Sequence, residues 1–209
     1  MRRTQRKERN STPAFAVVVD GNTEVWYLQM LKRNERDLRV SIKPEIPNNK
    51  SVKEQFDLVC ELLGKEFSKV FWVVDFDVVI KEELEAPKGE RSPLTTFLEY
   101  RARLLRDYEN AVVVVNNPCL EFWFLLHFER TSKYFPACGA AEARLKRYLK
   151  NYEKTQKYFT KQNDDIYLKL KSNLQSALRN SKALGVFDVG NPRKAMCEME
   201  LFFEVLGIH

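Results

Sequence analysis

Apolar residues along this chain fall into two textures, short continuous runs and longer stretches with a helical period, and the two alternate. The runs Ala14-Phe15-Ala16-Val17-Val18-Val19, Val70-Phe71-Trp72-Val73-Val74 and Ala111-Val112-Val113-Val114-Val115 are rich in β-branched and aromatic residues, as strands buried on both faces are. A fourth segment, Arg39–Ile46, alternates and contains Pro44, which suits an edge strand. Between these lie three helical stripes. Trp26, Tyr27, Met30 and Leu31 mark a helix capped by Thr23; Val52, Phe56, Val59, Cys60, Leu62 and Leu63 mark one running from a Ser51 cap to Phe67; Leu94, Phe97, Leu98, Leu104 and Leu105 mark one over 94–108. Residues 78–93 carry Pro87, Gly89 and Pro93 among charges and read as a loop, a lid over the strand ends. The alternation predicts an α/β fold: a three-layer, Rossmann-like parallel sheet of about four strands.

After the last strand, Asn116-Asn117-Pro118-Cys119 is a turn feeding the apolar helix Leu120–Phe128. Beyond Pro136 the texture changes to basic helices with interleaved tyrosines, including Arg144, Lys146, Arg147, Tyr148, Lys150, Tyr152, Lys154 and Tyr158, followed by a helix near 165–184. A final amphipathic helix is expected to start at Asn191-Pro192 and stop at Leu206-Gly207. The organisation expected is therefore a basic arm over 1–13, an acidic-site domain over 14–130, an appended basic helical lobe over 131–190, and a C-terminal helix over 191–209 packing back on the core.

Charge sharpens this division. The chain of 209 residues has a net charge of +6, yet residues 142–182 hold eleven Lys/Arg against four Asp/Glu, and residues 2–9 hold five basic residues against Glu8. The remainder is mildly acidic, which suits a polyanion gripped at the flanks while a cation is held in the middle. A solvated Lys-rich helix face gives the same counts. No apolar run approaches the roughly 18 residues of a membrane span, and the basic start has no apolar stretch behind it. Cys60, Cys119, Cys138 and Cys197 show no C-x-x-C spacing and His127 and His209 are the only histidines, so a structural zinc site is not expected and the thiols are expected free in a reducing cytosol.

The candidate chemistry sits at the strand ends, where open α/β sheets bind ligands. Alternation places Asp75 and Asp77 on one side at the end of the central strand, a pair that repels itself unless a cation sits between. Asp20 and Glu24 follow the first strand, and Glu121 lies in the first turn after the fourth. Carboxylates suit Mg²⁺ or Mn²⁺: Asp75 and Asp77 could hold one ion, with Asp20, Glu24 and the further catalytic carboxylate Glu121 completing that shell or the shell of a second ion. Each residue also has a structural reading. The aspartates could cap helices or shape turns, and Glu24 and Glu121 could be first-turn acids favoured by the helix dipole. His127 suits a satisfied core histidine better than a base, and the tyrosines could be packing faces instead of a stacking platform for bases.

Four segments resemble the RloB-like family, which is related to the Toprim fold of topoisomerases, primases and overcoming-lysogenization-defect nucleases: Asp20-Gly21-Asn22-Thr23-Glu24, Asp75-Phe76-Asp77, Asn117–Phe128 and the Asn191-Pro192 segment. The resemblance covers most of 14–129 and is weak over 140–185. It implies a Toprim-like sheet and a Mg²⁺- or Mn²⁺-dependent nuclease acting on DNA or RNA in phage defence, beside restriction and abortive-infection genes. The partners expected are nucleic acid, which the charge pattern assigns to Arg144, Lys146, Arg147, Lys150, Tyr148 and Tyr158 of the basic segment, an ATPase or restriction-system protein, and a second copy of the chain. One departure stands out: the family has Glu-Gly where this chain has Asp20-Gly21, a reach shorter by one methylene. The alternative is a non-catalytic nucleic-acid- or partner-binding subunit with a decayed site. A phosphoryl-transfer receiver domain ranks last, because its acidic pair would follow the first strand and its single Asp the third.

Overall fold

The computed structural model describes residues 13–38, 40–48 and 50–208. The expected basic arm, apart from Pro13, and also Arg39 and His209 lie outside the described residues. Four parallel strands form the sheet: β1 (Ala14–Val18), β2 (Ser41–Glu45), β3 (Lys69–Asp75) and β4 (Ala111–Asn117). A two-residue strand, β5 (Met196–Cys197), adds antiparallel to β4 and gives the order β2-β1-β3-β4-β5. The α/β expectation holds, with this short fifth strand making the sheet mixed.

Strand alternation divides the core into two layers. Phe15, Val17, Phe71, Val73 and Val114 point to the face covered by α1 (Asn22–Asn34), α5 (Leu120–Leu126) and α10 (Met199–Leu206). Ala16, Val18, Trp72, Val74, Val113 and Val115 point to the face covered by α2 (Val52–Leu63), α3 (Phe76–Glu85) and α4 (Pro93–Asp107). Trp72 and Trp123 are fully buried, one in each layer, and each such side chain contributes about 2–3 kcal/mol of transfer free energy.

The basic segment packs outside α1 and α5. It forms α6 (Cys138–Leu145), α7 (Gln156–Phe159), α8 (Ile166–Lys171) and α9 (Leu174–Lys182), and its Leu145, Tyr152, Phe159, Tyr167 and Leu170 join the same apolar cluster as the sheet face. The single helix expected over 165–184 is thus two, with Ser172 and Asn173 between them. No helix among the described residues is long and apolar enough to cross a membrane.

Several boundaries differ from the sequence reading, each for a local reason. Ser51 caps α2 through Oγ, which accepts the Glu54 amide at 3.3 Å, but the helix stops at Leu63. Thr23 does not cap α1: Gly21 occupies the cap position, and the Thr23 hydroxyl donates to the Glu24 carboxylate. The expected lid over 78–93 is mostly helix α3, because Phe76 and Val79 bury against the sheet; only 86–92 remain as a connection, held where Glu83 accepts from Ser92 Oγ and the Leu94 amide. Asn191-Pro192 does not start the last helix. The Asn117 side chain donates to the Pro192 and Lys194 carbonyls at 2.8 Å each, so this stretch is a turn leading into β5, and α10 begins at Met199.

Candidate functional site

The site lies at the carboxyl ends of β1, β3 and β4, and each acid reaches it from a different local device. Asp20 stands two residues past the end of β1, where Oδ1 accepts from Gln55 Nε2 at 3.3 Å. Gln55 is itself fixed, since it also donates to the Lys50 carbonyl and accepts from Trp72 Nε1 at 2.8 Å. Burial holds the Asp20 carboxyl above its ordinary range, Lys50 works against this, and Asp77 adds to it. Glu24 is buried in the first turn of α1. A Cβ on Gly21 would come within 3.0 Å of Glu24 Oε2, so glycine there leaves the carboxylate its room. Burial, with added repulsion from Glu121 and Asp20, raises the Glu24 pKa to about 7.

Asp75 is the last residue of β3, beside Asn116 of β4 in register, and Oδ1 accepts the Leu120 amide at 3.0 Å. Its pKa is raised well above the ordinary carboxylate value by burial and then by Glu24, Glu121, Asp77 and Asp20. Asp77 corrects the alternation argument. The strand ends at Asp75, and Asp77 sits in the first turn of α3, so the two are brought near one another by the strand-to-helix turn and not by a shared strand face. The Asp77 amide donates to the Pro118 carbonyl at 3.1 Å, and Oδ2 accepts the Cys138 amide at 3.0 Å. Burial raises its carboxyl as well, opposed by that amide and by Lys154.

Glu121 is almost wholly buried and already partnered. Oε1 accepts from Tyr152 Oη at 2.7 Å and lies 2.9 Å from Lys154 Nζ. Oε2 lies 3.0 Å from Cys119 Sγ and 2.8 Å from Cys138 Sγ. Those two sulfurs are joined in a disulfide, which overturns the expectation that all four thiols are free; Cys60 and Cys197 remain so. The chain offers no local hint of the pairing because the cysteines stand 19 positions apart, and only the return of α6 to the end of α5 brings them together. Among the described residues, Cys119, Glu121 and Cys138 are the one group of three such side chains whose ligand atoms all lie within 4.8 Å of one another.

Sequence reasoning missed Gln55, Tyr152 and Lys154 as parts of the site. Gln55 had a signal: it is a polar residue on the apolar stripe of α2, next to Phe56 and one turn from Val52 and Val59. Tyr152 and Lys154 had none, since they lie in a run of similar residues. Burial tends to lower the Lys154 ammonium, but Glu121 and Glu142 outweigh it and hold it above its ordinary value.

Among the residues expected to grip nucleic acid, Arg144 pairs with Glu129 at 2.8 Å and Lys146 with Glu142 at 2.7 Å. Arg147 and Lys150 are exposed and in no salt bridge among the described residues. Tyr148 is exposed and stacked on Phe128, Tyr158 is half-buried, and Tyr152 packs in the core. His127 is buried with Nδ1 3.0 Å from the Trp123 carbonyl, which makes Nδ1 the protonated nitrogen; burial pushes its pKa down to about 4, and it is a neutral core residue.

A family model described as RloB-like protein matches residues 15–206, which includes the basic segment where the resemblance in sequence is weak. No match was found among curated proteins or among solved structures.

Proposed function

We propose that this chain, which belongs to the RloB-like protein family, is a Mg²⁺- or Mn²⁺-dependent nuclease that cuts phosphodiester bonds of DNA or RNA in phage defence. The observation that carries this is the gathering of Asp20, Glu24, Asp75 and Asp77 at the ends of neighbouring strands, where Asp20, Glu24 and Asp77 all raise the pKa of Asp75. Carboxylates so gathered repel one another unless a cation shares them. The donor set is carboxylate oxygen, as Mg²⁺ takes. No three of these carboxylates converge within 4.8 Å among the described residues, which fits an ion held by one or two of them with water in its other positions. Asp75 and Asp77 would hold it, with Asp20 and Glu24 nearby. When bound, the ion supplies Lewis-acid stabilisation of phosphoryl charge. Lys154, next to Glu121, is placed to meet a substrate phosphate at the rim, since its side chain is 39% exposed.

The second reading, a binding subunit with a decayed site, is favoured by the way Gln55 holds the short Asp20 side chain. Incubating the protein with plasmid, single-stranded DNA and tRNA separates the two. Cleavage that requires Mn²⁺ or Mg²⁺ supports the nuclease, and binding without cleavage at any metal concentration supports the subunit.

Nucleic-acid contact is assigned to the outer face of α6, where a cleft of about 270 Å³ is lined by Lys133, Tyr134, Arg144 and Arg147. Because Arg144 and Lys146 already have carboxylate partners, Arg147 and Lys150 should release the most counterions. Changing both to Gln is expected to reduce the slope of log affinity against log salt by about 1.4–1.8, at roughly 0.7–0.9 per phosphate contact. The pair Arg144→Gln and Lys146→Gln should reduce it less. Binding titrations from low to moderate salt read both, and equal slopes in all three proteins would return this face to a solvated role.

A further inference from the structure

We propose a second metal site, of opposite chemical character to the carboxylate cluster: a thiolate–carboxylate site for Zn²⁺ made by Cys119, Cys138 and Glu121, available when the Cys119–Cys138 disulfide is open. The argument starts from Glu121 Oε2, which lies 3.0 and 2.8 Å from the two sulfurs. As a disulfide, neither sulfur carries a proton to donate, so three electron-rich atoms face one another in a buried place. Two thiol protons, or one cation shared by all three, would give that contact an attractive partner. A positive charge is already drawn there: Lys154 Nζ stands 2.9 Å from Glu121 Oε1 and 3.5 Å from Cys138 Sγ.

The ligand types decide which cation. Two thiolates select a soft or borderline ion such as Zn²⁺ over Mg²⁺, and three protein ligands leave the fourth tetrahedral position to solvent. The backbone permits the change, since the two Cα atoms are 5.5 Å apart and rotation of the side chains parts the sulfurs. Lys154 can withdraw without losing its partner, because Glu142 Oε2 is 3.8 Å from Nζ and the lysine side chain is 39% exposed. A nearby ammonium also favours the thiolate form needed for binding.

The chemistry balances with a dithiol as the reductant. Its two thiols become a disulfide, the Cys119–Cys138 bond breaks, and two electrons and two protons pass to the cysteines. Binding of Zn²⁺ then releases those two protons to solvent, so affinity rises with pH. The site is independent of the nuclease reading, and its test does not use cleavage.

The full chain, reduced with a phosphine that does not itself bind zinc, is titrated with Co²⁺ as a spectroscopic stand-in. One equivalent is expected to give thiolate-to-cobalt absorption in the near ultraviolet and the visible bands of tetrahedral Co²⁺, both bleached by an equivalent of Zn²⁺ and unaffected by excess Mg²⁺. The oxidised chain should show neither. Cys138→Ala, at the less buried cysteine, and Cys119→Ala should each remove the bands, Glu121→Gln should weaken binding at least tenfold, and Cys60→Ala with Cys197→Ala should change nothing. Absence of the bands in the reduced chain, or their survival in Cys138→Ala, overturns the proposal even if Cys119→Ala fails to fold.

Discussion

Asn in place of Asp75 is expected to remove metal-dependent cleavage while leaving a protein at least as stable as the parent in metal-free buffer at pH 8. The two effects have one cause. Asp75 is buried among Glu24, Glu121, Asp77 and Asp20, and its ionised form is disfavoured by all of them. Asn deletes that repulsion and keeps an oxygen for the Leu120 amide now held at 3.0 Å, so no backbone donor is orphaned. It also deletes a ligand. Losing several kcal/mol of transition-state stabilisation costs roughly a thousandfold or more in rate. Thermal melts without metal and cleavage assays with Mn²⁺ measure the two sides. A variant that keeps wild-type cleavage would remove Asp75 from the site.

The second large effect concerns Glu24 and pH. Its pKa rises from 4.5 to about 7 on folding, so the folded protein holds a proton over this interval that the unfolded chain has released. The stability linked to Glu24 is therefore full below pH 4.5, declines as pH rises toward 7, and is gone above it. At about 1.4 kcal/mol per unit, the loss is on the order of 3 kcal/mol. Glu24→Gln should consequently stabilise the metal-free protein at pH 8 by about that much, or roughly 6–12 °C in Tm for a chain of this size, and by little at pH 5. Glu121, Asp20 and Asp75 are the acids that face Glu24, and Thr23 donates to it. Asp75 shifts in the same direction, so the substituted protein should still lose some stability as pH rises. Melting curves from pH 5 to pH 8 in chelator decide this; parallel profiles for the two proteins would mean that Glu24 is not held protonated.

Much of this architecture is legible in the order of residues alone. The continuous runs around Val17, Trp72 and Val114 mark three parallel strands, Pro44 marks the edge strand, and the motifs around Asp20, Asp75 and Asn117 point to the family whose model matches 15–206. What escapes such a reading depends on contacts between distant segments. The apolar Phe76 and Val79 turn an expected loop into α3, which moves Asp77 from a strand to a helix. Cys119 and Cys138 become partners, and Tyr152 and Lys154 reach Glu121, only because the basic helices fold back over α5. Local patterns carry periodicity, and these outcomes have none.

The short strand β5 has a consequence for self-association. An open parallel sheet presents unpaired amides along its outer strands, a template on which another chain can polymerise. Here one border is β2, where Pro44 lacks a donor and Lys43 is exposed. At the other, Met196 and Cys197 pair with Asn117 and Asn116, and Glu198 takes both the amide and the carbonyl of Val115, its carboxylate also binding the Phe187 amide at 2.8 Å. Three residues thus cover the carboxyl end of the border strand that carries Asn116 into the acidic end of the sheet. Detaching them would uncover unpaired amides and carbonyls at the end of a valine-rich strand, an opening for edge-to-edge aggregation, so the segment that returns to β4 protects solubility as much as it completes a fold.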